Sequence, residues 1–368
     1  MRQPPDAFQT DPIPSMPTPN RAFLLGPLLK RVSRSFYLTL RVLPAGMRDP
    51  VGLAYLLARA ADTIADTTLI APEQRLQLLL ALRAQVDGAD DGGAFARRLA
   101  ADVAPRQVSD EKVLLESLGC ALAVLAQLSE ADRAAVRDIV STLSTGMEFD
   151  LRTFPDEHSG RIAALRDDEE LDRYTYLVAG CVGEFWTRMT DAHVPGTFGG
   201  EQASIMSRGI RFGKALQMTN ILRDCGKDLR IGRCYLPATM LAHEGLTPAE
   251  LLLPDASQRA RPLLRELVER TLAHFRAAVD YMLAIPPTSL RLRLACAWPI
   301  LIGLETLRLL VNNDAWLDPA RVSKLPRGRV YRIVAYSSLA APSNRLLRGW
   351  AERLIAEIGA CLEARAID

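Results

Sequence analysis

The chain is poor in the residues that build most catalytic and metal centres. Its 368 residues include only four histidines and six cysteines. His158, His193, His243 and His274 are dispersed, so no zinc-ligand spacing arises. Cys120, Cys181, Cys225, Cys234, Cys296 and Cys361 contain no CxxC pair, the distribution of reduced thiols buried as small apolar residues. The formal net charge is only +2 and the two signs are interspersed, which removes the bulk electrostatic argument for nucleic acid as a partner. No uninterrupted apolar run reaches the ~18 residues of a membrane span. The longest, from Leu294 to Leu304, contains Pro299. No glycine fingerprint follows a strand pattern, and no nucleophile–base pair is evident.

What remains is helical. Hydrophobic residues make up 49% of the chain, which places it among globular proteins. Leu, Ala and Arg are abundant and β-branched alternation is scarce. The apolar periodicity predicts helices near 23–42, 49–67, 72–86, 94–103, 110–127, 130–154, 168–192, 200–227, 258–284, 287–313 and 341–364. The first twenty residues carry six prolines and read as the core of a flexible tail over 1–22. No composition shift marks a linker, so residues 23–368 are expected to form one large all-α bundle.

Two carboxylate pairs stand out: Asp62-Thr-Ile-Ala-Asp66 and Asp224-Cys-Gly-Lys-Asp228. The spacing of four stacks both side chains of a pair on one helix face, where like charges destabilise by about 0.2–0.5 kcal/mol. A lone DxxxD is also what a solvated helix face looks like. The first pair, however, ends an unusually apolar stretch, and the second continues a polar stripe through Gln217, Asn220, Asp224 and Asp228 among Leu216, Met218, Ile221 and Leu222. Buried polar groups need partners. A hard cation such as Mg²⁺, with phosphate oxygens from a substrate completing its shell, would supply them. Arg223, Arg230 and Arg233 lie close by as phosphate-recognition candidates. Ser33-Arg34-Ser35-Phe36 either grips phosphate or bonds its own backbone. Gly180 and Gly183, beside Tyr174 and Tyr176, leave room for a close neighbour, either a second helix or an isoprenoid chain. Val322 to Arg329 is a basic turn that is either plain surface or an anion site. The stripe Leu347, Trp350, Leu354 and Ile358 is expected to pack on the bundle, with a membrane surface as the alternative.

In combination these segments resemble the squalene and phytoene synthase family, over about Ser33 to Arg329. The likeness rests on order: SRSF, then DxxxD, then YxxxVAGxVG, then QxxNxxRDxxxD followed by Arg-x-Tyr-x-Pro. The resemblance implies a helical bundle with a central cavity that takes two farnesyl diphosphates. It implies Asp62, Asp66, Asp224 and Asp228 as Mg²⁺ ligands, with Asn220 and Gln217 supporting them. Ser33, Arg34, Ser35, Tyr55, Arg59, Arg223 and Arg233 would contact diphosphate, and Tyr174 would lie near the first departing group. Val178, Ala179, Val182 and Gly183 would line the isoprenoid channel. Within the family the basic turn resembles that of squalene synthases, which implies NADPH bound through Lys324 and Arg327, although Pro326 stands where a basic residue is usual. Phytoene or dehydrosqualene formation without NADPH, or release of presqualene diphosphate or hydroxysqualene, are the alternatives. A non-catalytic assembly factor has no need of four carboxylates in an oily bundle. The expected location is cytoplasmic, with peripheral contact to a membrane left open, as is the oligomeric state.

Overall fold

The computed structural model describes residues 20–33, 37–107 and 109–365. Helices dominate. Those that carry the site are α1 (Ala45–Asp66), α2 (Pro72–Asp87), α3 (Glu130–Thr153), α4 (Asp168–Thr175), α5 (Cys181–His193), α6 (Gln202–Arg230), α7 (Arg261–Ala284), α8 (Leu290–Val311), α9 (Arg327–Ala340) and α10 (Asn344–Ala364). The only strands among the described residues are β1 (Ala163–Ala164) and β2 (Arg233–Cys234), a two-residue parallel bridge. The order starts earlier than the tail boundary at 22: Asn20 caps a helical turn at Arg21–Phe23, and Arg21 pairs with Asp49 at 2.6 Å. The rest of that tail, 1–19, lies outside the described residues.

Periodicity explains most boundaries. Pro72 opens α2, and Gly88 closes it at φ 111°, a left-handed cap that glycine adopts without strain. Ser129 caps α3 through the Asp132 amide. α6 is the central element. It packs on α5, α7 and α8, while α1 and α2 pack on α3. α8 is long and apolar enough to cross a membrane, but 72% of its most apolar window is buried within the bundle, where Ile300, Leu304 and Leu307 have no exposure. The six cysteines are free thiols, and Cys181, Cys225, Cys234 and Cys296 are buried.

Between α4 and α5 the chain makes a π turn, Tyr176–Gly180. The glycines around it answer the question the sequence left open: their neighbour is a helix. A Cβ on Gly183 would fall 1.8 Å from the Gly209 carbonyl oxygen, and one on Gly213 would fall 2.0 Å from the Ala179 carbonyl oxygen. The expectation that Gly183 faces an isoprenoid channel is therefore corrected, because the backbone of α6 fills the space it leaves.

This seam predicts a contrast. Gly213→Ala should lower stability by about 1–3 kcal/mol through forced separation of backbones. Gly349→Ala, inside α10 with nothing within 4 Å of the new methyl, should raise it by up to about 1 kcal/mol. Denaturant melts of both variants check this, and equal shifts would remove the close-packing argument.

Candidate active site

The carboxylate pairs sit on the closing turns of two helices. α1 ends at Asp66, and Asp224 and Asp228 occupy the last turns of α6, which ends at Arg230. Helix C-termini carry the negative end of the aligned peptide dipoles, so the backbone disfavours carboxylates there. The titration of the side chains reflects this crowding. Burial, then the charge of Asp66, pushes Asp62 up to about 6 against the pull of Arg59. Burial, then Asp224, pushes Asp228 up to about 7; Arg233 opposes the shift and Asp66 adds to it. The charge of Asp66 reaches Asp228, so the two pairs stand within electrostatic range of each other.

Three arginines interleave with them. Arg59 bonds Asp62 and reaches Glu111 Oε1 at 2.7 Å. Arg223 Nε donates to Asp224 Oδ1 at 3.0 Å, with a second bond to Oδ2. Arg233 lies 3.6 Å from Asp66. Its place is set by local chemistry. Gly232 turns at φ 83°, and a Cβ there would meet the Arg161 carbonyl oxygen at 2.6 Å. The next residue, Arg233, then pairs with Ala163 in the β bridge.

Asp62, Asp66, Gln217 and Arg233 line a cavity of about 260 Å³, together with the apolar Leu143, Met147, Leu151 and Val178. Asp150, Tyr174 and Tyr235 complete its wall. A neighbouring cavity of about 360 Å³ shares Asp62 and Asp66 and is lined also by Arg59, Arg106, Gln107 and Glu111. The first carboxylate pair is thus a partition between two spaces.

Asp150 was not anticipated. Its Oδ2 accepts from the phenols of both Tyr174 and Tyr235, each at 3.1 Å, and the two rings stack with centroids 4.9 Å apart. Its Oδ1 is shut off from solvent without a partner. Burial pushes Asp150 up to about 7, against Arg233 and the two phenols. Burial and Asp150 push both tyrosines well above their ordinary range, so each phenol is a neutral donor. One signal was available: Asp150 is a lone carboxylate on the stripe Leu143, Met147, Leu151. Glu111 gave no comparable signal.

The remaining expected residues divide. Val178 lines the cavity, and Ala179 and Val182 are half-buried on the π turn and on α5. Asn220 is exposed on the stripe of Gln217 and Asp224. Tyr55 donates to the Val32 carbonyl at 3.3 Å. Ser33 is buried and donates to the Leu29 carbonyl at 2.5 Å, so its hydroxyl serves its own helix. Arg34 and Ser35 lie outside the described residues. Lys324 and Arg327 are exposed, and neither lines the cavity. Arg329 of the same turn bonds the buried Glu305 at 2.6 Å.

Among the described residues no three His, Cys, Asp or Glu side chains gather closely enough to enclose a metal ion alone. The donor set nonetheless fits a hard divalent cation. It offers carboxylates destabilised by one another, in two pairs, with arginines to share phosphate oxygens. Mg²⁺ uses one or two carboxylates and takes its other ligands from water and phosphate.

The raised carboxyls predict a pH dependence. An acid whose folded value lies above its unfolded value stabilises the fold while protonated, and this contribution is lost as pH rises through the folded value. For Asp228 the window runs from 3.8 to about 7. Melting temperature in chelator should fall across this window. The fall should be smaller for Asp228→Asn, and Mg²⁺ should reverse it at the alkaline end. Melts indifferent to pH and to Mg²⁺ would contradict the geometry.

Comparison with known proteins agrees with the geometry. The family model described as squalene/phytoene synthase matches residues 29–329. The bifunctional lycopene cyclase/phytoene synthase of Colletotrichum graminicola is 28% identical over 85% of this chain, which spans 50% of that protein's length. The presqualene diphosphate synthase of Rhodopseudomonas palustris is 32% identical over 67% of this chain and 74% of its own length. The squalene synthase of Nicotiana benthamiana is 26% identical over 86% of this chain and 71% of its own. Among solved structures, the TcSQS complex with the ligand BPH1237 shares the fold with a TM-score of 0.72 at 23% identity, covering 94% of this chain and 99% of that one. A predominantly helical scaffold, two Asp pairs at helix ends and a family match over residues 29–329 agree: the chain belongs to the squalene/phytoene synthase family.

Proposed function

We propose that this chain is a squalene synthase, which joins two farnesyl diphosphates head to head through presqualene diphosphate and completes the product with a hydride from NADPH. The observation that carries the condensation is the first Asp pair set, with Gln217 and Arg233, on a cavity with apolar walls, and Asp228 of the second pair within electrostatic reach of Asp66 and Arg233. Asp62, Asp66, Asp224 and Asp228, with Asn220, would hold Mg²⁺, which when bound offsets the charge growing on a departing diphosphate. Arg59, Arg223 and Arg233 already neutralise site carboxylates and present planar donors to the same phosphate oxygens. Leu143, Met147, Leu151 and Val178 keep water from the allylic cation left behind. At about 260 Å³ the cavity lies below the usual range of ligand pockets. Prenyl chains therefore enter by displacing wall side chains, of which unbranched Met147 is the most adaptable. Asp150 fixes the phenols of Tyr174 and Tyr235 beside this space.

Two observations favour a second reading, release of presqualene diphosphate without reduction. The relative at 32% identity is a presqualene diphosphate synthase, and Lys324 and Arg327 stand away from the cavity wall. Purified protein incubated with farnesyl diphosphate and Mg²⁺, with and without NADPH, separates the readings by lipid product. Squalene formed only with NADPH supports the first. Presqualene diphosphate as the end product in both incubations sinks it. Lys324→Ala should raise the NADPH concentration needed for squalene formation and leave the first condensation intact.

Three variants test the condensation itself. Asp224→Asn should lower turnover on the order of 100-fold or more, through lost electrostatic stabilisation of the leaving group. Asp150→Ala, which leaves both phenols without their acceptor, should cost about 100-fold through misplacement. Asp150→Asn, which keeps an acceptor oxygen, should retain more of the rate. Wild-type turnover in Asp224→Asn would remove the assignment, and wild-type turnover in Asp150→Ala would remove the role given to that carboxylate.

A further inference from the structure

Among the described residues the four most exposed large apolar side chains fall within one short stretch of chain. Tyr331, Tyr336 and Leu339 are 66%, 60% and 78% exposed, and Leu346 follows at 57% just beyond α9. On α9 the inner side is formed by buried Ile333, Ser337 and Ala340. At 100° per residue, Tyr331, Ala335 and Leu339 fall together on the opposite side, while Tyr336 lies at the flank that borders the cleft described below. The helix therefore presents large apolar side chains to solvent as well as to α8, with Arg332 the charge beside Leu339 on the outer side. An ordinary surface helix places charge on its outer side.

The charge around this face has one sign. Between Asp318 and Glu352 the chain has seven cations, one Lys and six Arg, and no carboxylate. Arg329 and Arg348 are taken by Glu305 and Asp280, at 2.6 and 3.3 Å. Arg327, Arg332 and Arg345 have no ion-pair partner among the described residues. Beside the face, a cleft of about 360 Å³ opens between α8, α9 and α10. Arg308, Arg329, Arg332 and Arg353 line it, with Tyr336 and Trp350. Its two carboxylates are already engaged: buried Glu305 accepts from Arg308 and Arg329, and Glu357 pairs with Arg308 at 3.7 Å and Arg353 at 4.0 Å. The cleft retains an excess of positive charge.

We infer that the outer face of α9 docks on an anionic phospholipid bilayer, with headgroup phosphates received by the arginine cleft and Leu339 entering the acyl boundary. The composition matches the depth profile of a membrane interface. Tyrosines are amphipathic at the headgroup level, arginine stems lie along apolar surface with their heads in water, and each cation near an anionic leaflet adds to the attraction. The docking element is α9 rather than the α10 stripe singled out from the sequence, because Leu347, Leu354 and Ile358 are buried against the bundle.

The test uses the full chain and vesicles without prenyl substrate, so its outcome is independent of the proposed reaction. The protein should sediment with phosphatidylcholine vesicles that contain phosphatidylglycerol, far less with phosphatidylcholine alone, and less as salt is raised. Tyr336→Ser with Leu339→Ser, and separately Arg332→Glu, should each weaken capture about tenfold, with melting temperature unchanged because these side chains are exposed. Absence of capture by the anionic vesicles overturns the inference, as does capture indifferent to both variants. Loss of capture to inorganic phosphate at constant ionic strength would also overturn it, by showing a site for a free anion instead of a bilayer.

Discussion

Four carboxylates held against one another set the terms for the rest of this protein. Asp62 with Asp66, and Asp224 with Asp228, repel within each pair, repel across the space between α1 and α6, and stand at helix ends whose dipoles repel them again. A fold tolerates this only where surrounding structure is overdetermined and where a counter-charge is expected. The three interleaved arginines answer part of the charge. Burial, and then the neighbouring carboxylate, still displaces Asp62 and Asp228 upward. In the proposed reaction a divalent cation arriving with a diphosphate would supply the rest. Affinity for the metal is thereby linked to the presence of the substrate.

The scaffold supplies the overdetermination. α6 bears the second pair, and its other face is buried through Met218, Leu222, Cys225 and Leu229. Gly209 and Gly213 let it approach α5 and the π turn at backbone distance. Near its end Gly226 admits the Leu317 carbonyl, where a Cβ would come within 2.3 Å. A helix locked at two levels cannot rotate its Asp stripe away from the cavity without breaking close contacts. Arg233 is held in the same way, by a glycine turn and a two-residue β bridge instead of by a long element.

What the sequence revealed follows from the range of each interaction. The Asp pairs, the polar stripe of α6 and most helices are local patterns with a period of three to four residues, and they were legible. So was the packing of α10. Asp150 was not, because a single carboxylate on an apolar stripe gains meaning only from partners 24 and 85 positions away in the chain. The role of Gly183 was misjudged for a related reason: a missing side chain announces a close neighbour without saying whether that neighbour is backbone or ligand. From sequence alone only the first three residues of α9, 327–329, belong to a basic turn, and 330–340 carries no helix assignment. Its segment is apolar on two sides, so it has no one-sided periodicity to reveal a helix.

The doubled apolarity of α9 also bears on how the pieces belong together. A cavity that keeps an allylic cation dry must deliver a hydrocarbon that water will not carry, so an apolar exit is a physical requirement of the proposed reaction and not an ornament of the surface. α9 reaches the core through Ile333 and through the bond from Trp298 of α8 to Ser337, and α8 packs directly on α6, the helix that holds the second Asp pair. The outward face is thus tied rigidly to the site through two layers of packed helix. Attachment to a bilayer would fix the orientation of the cavity relative to it, so α8 acts as a mechanical support: its long apolar surface is spent inside the protein, between the element that gathers charge and the element that meets lipid.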